Sequence, residues 1–146
     1  MKFHLVLQLN RMNNKRPIFS GFGKPGERVE EKPEAYFLSG RGTDLGCVLQ
    51  VREEINRPSL LALDIKGVIQ KDAPWARLRI EIFDKSRPDF PATSFEDSYL
   101  MDGISADNFK SLSLPILGIV KKPHKVQIMV VGPSATNLEI RNVRLR

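Results

Sequence analysis

The chain has 146 residues, a length that predicts one domain, residues 1–146, large enough to bury a core. Its single cysteine excludes an internal disulfide and a multi-cysteine zinc cluster. Hydrophobic residues make up 41% of the chain and charged residues 27%, a balance that is typical of a soluble globular protein and excludes a disordered one. The net charge of +6 comes from 23 basic and 17 acidic residues scattered along the sequence, so a nucleic-acid partner is not expected.

Strand patterns recur in the first third of the chain, whereas helical patterns do not. Residues 3–9, FHLVLQL, alternate with a period of two and predict an N-terminal strand. Residues 10–34 are polar and rich in glycine and proline, so we interpret them as a long connection. Strands are then expected in AYFLSG, residues 35–40, and in GCVLQV, residues 46–51.

The middle of the chain contains the clearest strand. A first run with Leu61, Leu63 and Ile65 in phase is followed by the turn QKDAP, which leads into residues 75–85, WARLRIEIFDK. In this segment one face is wholly apolar, and the other is polar apart from one phenylalanine. The apolar face has Ala76, Leu78, Ile80 and Ile82, and the opposite face has Arg77, Arg79, Glu81 and Phe83.

The last third continues the alternation and ends in an irregular strand. Residues 86–98 are expected to form a second long loop. Apolar residues in phase mark two further strands: Leu112, Leu114 and Ile116, then Val126, Ile128 and Val130. In the closing segment, TNLEIRNVRLR, the alternation slips by one residue at Arg141–Asn142, which predicts a β-bulge. About eight short strands separated by turn-rich loops predict an all-β antiparallel sandwich or barrel.

Several short motifs are compatible with catalysis or cofactor binding, but the residues around them do not support either function. GFGKPG, residues 21–26, has the spacing of a dinucleotide-binding loop, but the residues after it cannot form the packed helix that such a site requires. His4 and His124 are the only histidines, and they form no metal-ligand pair. Cys47 lies in phase with apolar strand residues, which indicates a buried thiol. Carboxylates in residues 96–102 are better explained as solvated loop acids than as an acid/base pair. The sequence therefore predicts no enzyme activity, no cofactor and no metal site.

The second half of the chain has a distinctive order of segments. LLALDIKGVI is followed across a turn by WARLRIEIFD, then by NFKSLSLPI, HKVQIMVVG and the closing LEIRNVRLR. In this order, residues 59–146 resemble a jelly-roll carbohydrate-binding module of the galactose-binding-like superfamily, whereas the first part of the chain fits less closely. The resemblance implies an antiparallel β-sandwich (jelly roll) with both termini in one sheet, so that residues 2–9 and 138–146 are neighbours.

The terminal strand departs from the resembled family in one respect. Many such modules bind a structural calcium near the terminal strands, and the closing motif supplies an acid as one ligand. Arg141 and Asn142 occupy the positions of the paired acids. An arginine brings charge of the wrong sign to a cation that needs several hard oxygen ligands, so we expect no calcium there.

The resemblance implies a non-catalytic protein that binds a glycan on one sheet face. Sugar sites combine aromatic surface with a few planar polar groups, and the outward phase of the clearest strand offers both. The candidate ligand-binding residues are Trp75, Arg77, Arg79, Glu81, Phe83 and Gln127. Trp75 either stacks on a sugar or covers the end of the sandwich. A second aromatic group, Phe90, Phe95 and Tyr99, either plugs the sandwich or holds the ligand.

A second hypothesis keeps the fold without the sugar. In it the protein is an intracellular interaction or assembly module, and a homo-oligomer or protein partner covers residues 77–83. The start, MKFHLVLQLN, lacks the apolar centre and cleavage site of a signal peptide. We therefore expect a cytoplasmic protein, or an extracellular one if the chain is part of a larger exported protein. No apolar run has membrane length, so a membrane partner is not expected.

Overall fold

The protein is described by a computed structural model, which covers residues 16–96, residue 100 and residues 103–146. These residues include ten β-strands. They are β1 (Ile18–Phe22), β2 (Arg28–Glu31), β3 (Tyr36–Gly42), β4 (Leu45–Gln50), β5 (Leu60–Lys71), β6 (Arg77–Asp84), β7 (Pro91–Glu96), β8 (Lys110–Pro115), β9 (Pro123–Val131) and β10 (Ser134–Leu145). The predicted all-β class is confirmed.

The strands form two five-stranded sheets. Sheet A has the order β1-β4-β9-β6-β7, and sheet B has the order β2-β3-β10-β5-β8. Every neighbouring pair is antiparallel. The two sheets pack face to face as a β-sandwich, and the predicted jelly roll is confirmed. Strands β9 and β6 lie beside each other in the middle of sheet A, so a side chain on either strand has neighbours on both sides.

The core lies between the sheets and is built from the apolar phases expected from the sequence. Because successive side chains of a strand point to opposite faces, one phase of each central strand enters the core. At most 2% of each of these side chains is exposed: Leu61, Leu63, Ile65, Leu78, Ile80, Ile82, Val126, Ile128 and Val130. Cys47 is also fully buried, and its burial raises the pKa of the thiol to about 12. The thiol therefore acts as a small core side chain, as expected.

The structure has ten strands where about eight were expected. Strands β1 and β2 lie within residues 10–34, and β7 lies within residues 86–98, two segments that we interpreted as connections. All three are short, and each is an edge strand of its sheet. An edge strand is paired on one side and is largely exposed, so it needs few apolar residues and its hydrophobic pattern is weak.

The terminal strand has the predicted irregularity. β10 lies in the middle of sheet B between β3 and β5, and its register with β5 shifts between Arg141 and Arg144. Asn142, inside this shift, has a positive φ of 54°. The bulge expected from the slip in alternation is therefore confirmed. The predicted N-terminal strand, residues 3–9, lies outside the described residues, so its place beside the last strand stays a prediction.

Candidate functional site

The outward face of sheet A carries five of the six predicted ligand-binding residues. Because Leu78, Ile80 and Ile82 of β6 point into the core, the alternate residues point away from it. Arg77, Arg79, Glu81 and Phe83 follow one another along this face, and β9 adds Lys125, Gln127 and Met129 beside them. The structure therefore brings these side chains together on one surface.

Pairing between β6 and β9 arranges the face in rows. Arg79 lies opposite Met129, Glu81 opposite Gln127, and Phe83 opposite Lys125. Directly opposed side chains in an antiparallel pair have Cβ atoms about 4.5–5.5 Å apart, close enough to interact. Each row therefore combines side chains from segments that are far apart in the sequence.

The two arginines of the face are held by Glu96 of the edge strand β7. The Nε atom of Arg77 lies 3.0 Å from one carboxylate oxygen of Glu96, and the Nε atom of Arg79 lies 3.4 Å from the other. Arg77 also donates a hydrogen bond from Nη1 to the carbonyl of Trp75 at 3.1 Å. The ion pairs lack hydrogen-bond geometry, so both buried Nε–H groups are unsatisfied among the described residues. The pairing orients the guanidinium groups without using all their donors.

Glu81 is a buried acid with little compensation. Its side chain is 8% exposed, and its ion-pair partner among the described residues is the Nε atom of Arg79, at 3.8 Å. A buried carboxylate is costly unless it is paired and hydrogen-bonded. Its neighbour Gln127 donates from Nε2 to the sulfur of Met129 at 3.1 Å, and a thioether is a weak acceptor. Among the described residues, three adjacent planar groups, those of Arg79, Glu81 and Gln127, thus have hydrogen-bonding capacity that these contacts do not use.

Phe83 differs from what the sequence led us to expect. Only 6% of its surface is exposed, and the ammonium of Lys125 lies 4.5 Å from the centre of its ring. The long side chain of a lysine directly across the strand pair covers apolar surface well, and its charge is attracted to the ring face. Phe83 therefore offers no free stacking surface, which corrects the expectation of an exposed outward phenylalanine.

The other predicted aromatic residues lie at different places. Trp75 is 57% exposed, and its ring lies against Gly132 in the β9–β10 turn, so it covers the end of the sandwich and also borders the face. Phe90 is 63% exposed at the opposite end of β6, and Phe95 packs partly against the core. Tyr99 lies outside the described residues.

The sequence did not indicate two members of this face. Phe22 of β1 lies over Gly46, because a Cβ atom on that glycine would be 2.7 Å from the Phe22 ring. It thereby places an apolar ring in the row of Met129 and Arg79. The signal was present in IFSGF, whose alternation was not recognised inside a polar segment. Glu96 had been interpreted only as a solvated loop acid.

Arg141 and Asn142, at the positions where the resembled modules have calcium-binding acids, make contacts within the protein. Asn142 donates from Nδ2 to Asp64 at 2.7 Å, and Ser111 donates to the other oxygen of Asp64 at 2.7 Å. These hydrogen bonds, led by the one from Asn142, lower the pKa of Asp64. Arg141 lies over the ring of Phe109 at 4.6 Å. Within the described ranges, no group of three or more histidine, cysteine or acidic residues is arranged to hold a metal ion. The lack of calcium binding stays a prediction.

Several solved structures that share this architecture are carbohydrate-binding modules. A variant of a family 29 module has a TM-score of 0.55 and 12% identity, over 86% of this chain and 78% of its own. A family 11 module from Clostridium thermocellum, in complex with a β-1,3-1,4-mixed-linked tetrasaccharide, has a TM-score of 0.56 and 12% identity, over 87% of each chain. A second family 29 variant, complexed with cellulohexaose, has a TM-score of 0.54 and 11% identity, over 86% of this chain and 78% of its own. This chain therefore shares its jelly-roll fold with these modules.

This likeness to carbohydrate-binding modules concerns the fold alone, because the identities are low. No protein-family model matches the chain, and no curated protein matches it in sequence. The resemblance drawn from the order of segments is therefore confirmed at the level of the jelly roll. In the part of the chain that the structure describes, no helix is long and apolar enough to cross a membrane.

Proposed function

We propose that the protein is a non-catalytic glycan-binding module whose ligand lies across the outward face of sheet A. The observation that carries the proposal is the adjacency of the planar groups of Arg79, Glu81 and Gln127, whose contacts among the described residues are few or weak. Sugar hydroxyls both donate and accept hydrogen bonds. A guanidinium donates, a carboxylate accepts and an amide does both, so the three groups together match a row of hydroxyls.

An apolar surface lies beside these polar groups. The ring of Phe22 lies over Gly46, and the same row continues to Met129. The CH-rich face of a pyranose ring binds to such a surface while its equatorial hydroxyls reach the polar groups. We place the apolar contact at Phe22 and Met129, with Trp75 at the rim as a second stacking position. Phe83 contributes indirectly, because its ring holds the ammonium group of Lys125 in place.

The described residues also favour binding over catalysis. Cys47 is fully buried with a pKa of about 12, so its thiol is not a nucleophile at neutral pH. The carboxylates of Glu81 and Glu96 both contact the guanidinium of Arg79. This arrangement uses the two acids to orient an arginine, which supports a role in recognition.

The test is a panel of neutral glucans and mannans, read by affinity gel electrophoresis and then by calorimetry with oligosaccharides. Arg79→Ala, Glu81→Gln and Gln127→Ala should each weaken binding by about tenfold or more, the size of one lost buried hydrogen bond to a charged or planar group. Asn137→Ala removes an exposed amide from the outward face of sheet B and is the matched control. A protein that binds no glycan contradicts the function, and binding that survives all three substitutions contradicts the site.

A role in protein interaction is the second candidate function, and a separate surface favours it. Exposed apolar side chains gather at the end of the sandwich where β6 ends, away from the rows of Arg79 and Glu81. It lies apart from the outward face of sheet A, the proposed ligand surface around Arg79, Glu81 and Gln127, which we call the glycan face.

A further inference from the structure

Exposed apolar side chains are concentrated at one end of the sandwich. In the described residues, six large hydrophobic side chains are exposed, and three of them belong to the loops at this end: Phe90 at 63%, Leu117 at 82% and Ile119 at 54%. Single exposed apolar residues are common on protein surfaces, but a contiguous group marks a surface that another molecule covers. The concentration of three such side chains at one end therefore suggests that another molecule covers this surface.

Two of these residues line a cleft between the loop that follows β6 and the loop that precedes β9. The cleft has a volume of about 350 Å³ and is lined by Asp84, Ser86, Arg87, Phe90, Pro91, Ala92, Ile119 and Lys121. Ligand-binding clefts in proteins typically measure about 300–1,000 Å³, so this one accommodates a large side chain with part of its backbone. We call it the end cleft.

Basic side chains surround the end cleft. Arg87 and Lys121 line it, and Lys85 and Lys122 line a neighbouring depression of about 220 Å³ together with one acid, Glu54. Two further acids are near: Asp84, whose two oxygens accept hydrogen bonds from the protein, and the exposed Asp89. The cations thus outnumber the acids by one, and within the described residues none of the four cations makes an ion pair.

The two loops that form the end cleft are fixed to each other. Oδ1 of Asp84 accepts hydrogen bonds from the N–H and the hydroxyl of Ser86, both at 2.9 Å. Oδ2 accepts from the N–H groups of Lys121, at 2.7 Å, and Lys122, at 3.2 Å. The N–H of Lys85 donates to the carbonyl of Lys122 at 2.9 Å. The cleft is therefore formed before a partner arrives, which lowers the entropy cost of binding.

We propose that the end cleft is the docking site for an acidic segment of another protein, which inserts one apolar side chain between Phe90 and Ile119. The charges favour an acidic partner, because the four cations make no ion pair within the described residues and can attract an acidic segment and orient it during the encounter. The concave shape of the cleft favours a protein segment over a membrane surface. A concave site between two fixed loops suits a single anchoring side chain, whereas a flat bilayer cannot enter it.

The experiment uses the intact protein and a phage-displayed random dodecapeptide library. Enriched peptides should combine several aspartates or glutamates with one phenylalanine, leucine or isoleucine. A labelled synthetic copy of the most enriched peptide should bind in fluorescence anisotropy, and its affinity should fall by about tenfold when salt is raised from low to high concentration. The double variant Arg87→Glu, Lys121→Glu and the single variant Ile119→Ser should each weaken binding by about tenfold or more.

Matched controls lie elsewhere on the surface. Lys24→Glu reverses an exposed charge in the β1–β2 connection, and Val68→Ser removes an exposed apolar side chain from sheet B, so both should leave binding unchanged. The proposal is overturned if enriched peptides show no acidic bias or if their binding survives the double variant. It is also overturned if the end-cleft variants abolish instead a dimer seen in sedimentation, or binding to vesicles that contain phosphatidylserine. Glycan binding should be the same in all these variants.

Discussion

Asp84→Asn tests whether one buried carboxylate holds the end loops together. The substitution preserves the shape of the side chain but replaces one acceptor oxygen with an NH2 group. Whichever way the amide turns, its donor faces either the N–H of Ser86 or the N–H groups of Lys121 and Lys122. A hydrogen bond to a charged group contributes about 1.5–3 kcal/mol, and an unsatisfied N–H adds to the loss. We expect the free energy of unfolding at neutral pH to fall by about 2–3 kcal/mol.

The pKa of Asp84 gives an independent measure of the same effect. The N–H of Ser86, followed by the N–H groups of Lys121 and Lys122, stabilises the ionised form and lowers the pKa from 3.8 to about 2. A shift of this size corresponds to about 2 kcal/mol, since one pKa unit is about 1.4 kcal/mol. Because the pKa is lower in the folded state, this stability is fully present above about pH 4. It is lost as the pH falls from there toward 2.

The assay is urea unfolding of both proteins between about pH 7 and pH 2.5. The difference between wild type and Asp84→Asn should be constant from pH 7 to about 5 and should shrink at lower pH. Asp89→Asn, an exposed acid in the same loop, is the matched control and should change stability little at any pH. A difference that is below about 0.5 kcal/mol at neutral pH, or that is equally large near pH 2.5, would refute the reasoning.

Three further predictions concern the core, the glycan face and the terminal strand. Leu78→Ala and Ile80→Ala should each lower the free energy of unfolding by about 2–5 kcal/mol in urea titrations, because both side chains are fully buried. Gly46→Ala should cost about 1–3 kcal/mol and displace Phe22, because the new Cβ would lie 2.5 Å from the Ile128 carbonyl oxygen; an unchanged unfolding curve would contradict this. Millimolar calcium should leave the melting temperature unchanged, and a rise of several degrees that chelator reverses would show that the terminal strand holds the ion.

The sequence predicted the central strands well because each has one face in the core. In β6 the buried side chains Leu78, Ile80 and Ile82 leave the alternate positions to polar residues, so the period of two is clear. The bulge in β10 was also predictable, since a one-residue slip moves every later side chain to the other face. The edge strands β1 and β7 were missed because their side chains are mostly exposed and their pattern is weak.

The candidate face was predictable only in part, because it depends on pairing between distant strands. Alternation on β6 places Arg77 and Arg79 on one side, but it does not say that Glu96 lies across from Arg79. The burial of Phe83 follows from Lys125, which is opposite it on β9. Such cross-strand neighbours are set by register, and the hydrophobic pattern of a single strand contains no information about its partner.

Strand β6 explains why the polar groups of the face have few partners among the described residues. Its inner side is fixed in the core by Leu78 and Ile80, and it is hydrogen-bonded to β7 on one side and β9 on the other. Arg79 and Glu81 therefore stand on a backbone that cannot move to improve their contacts. A ligand that supplies further partners to such a held surface gains affinity without reorganising the protein. The same strand ends at Asp84, so the end cleft is equally rigid, but its charges and apolar side chains belong to the loops. A substitution in those loops should leave the geometry of the glycan face unchanged.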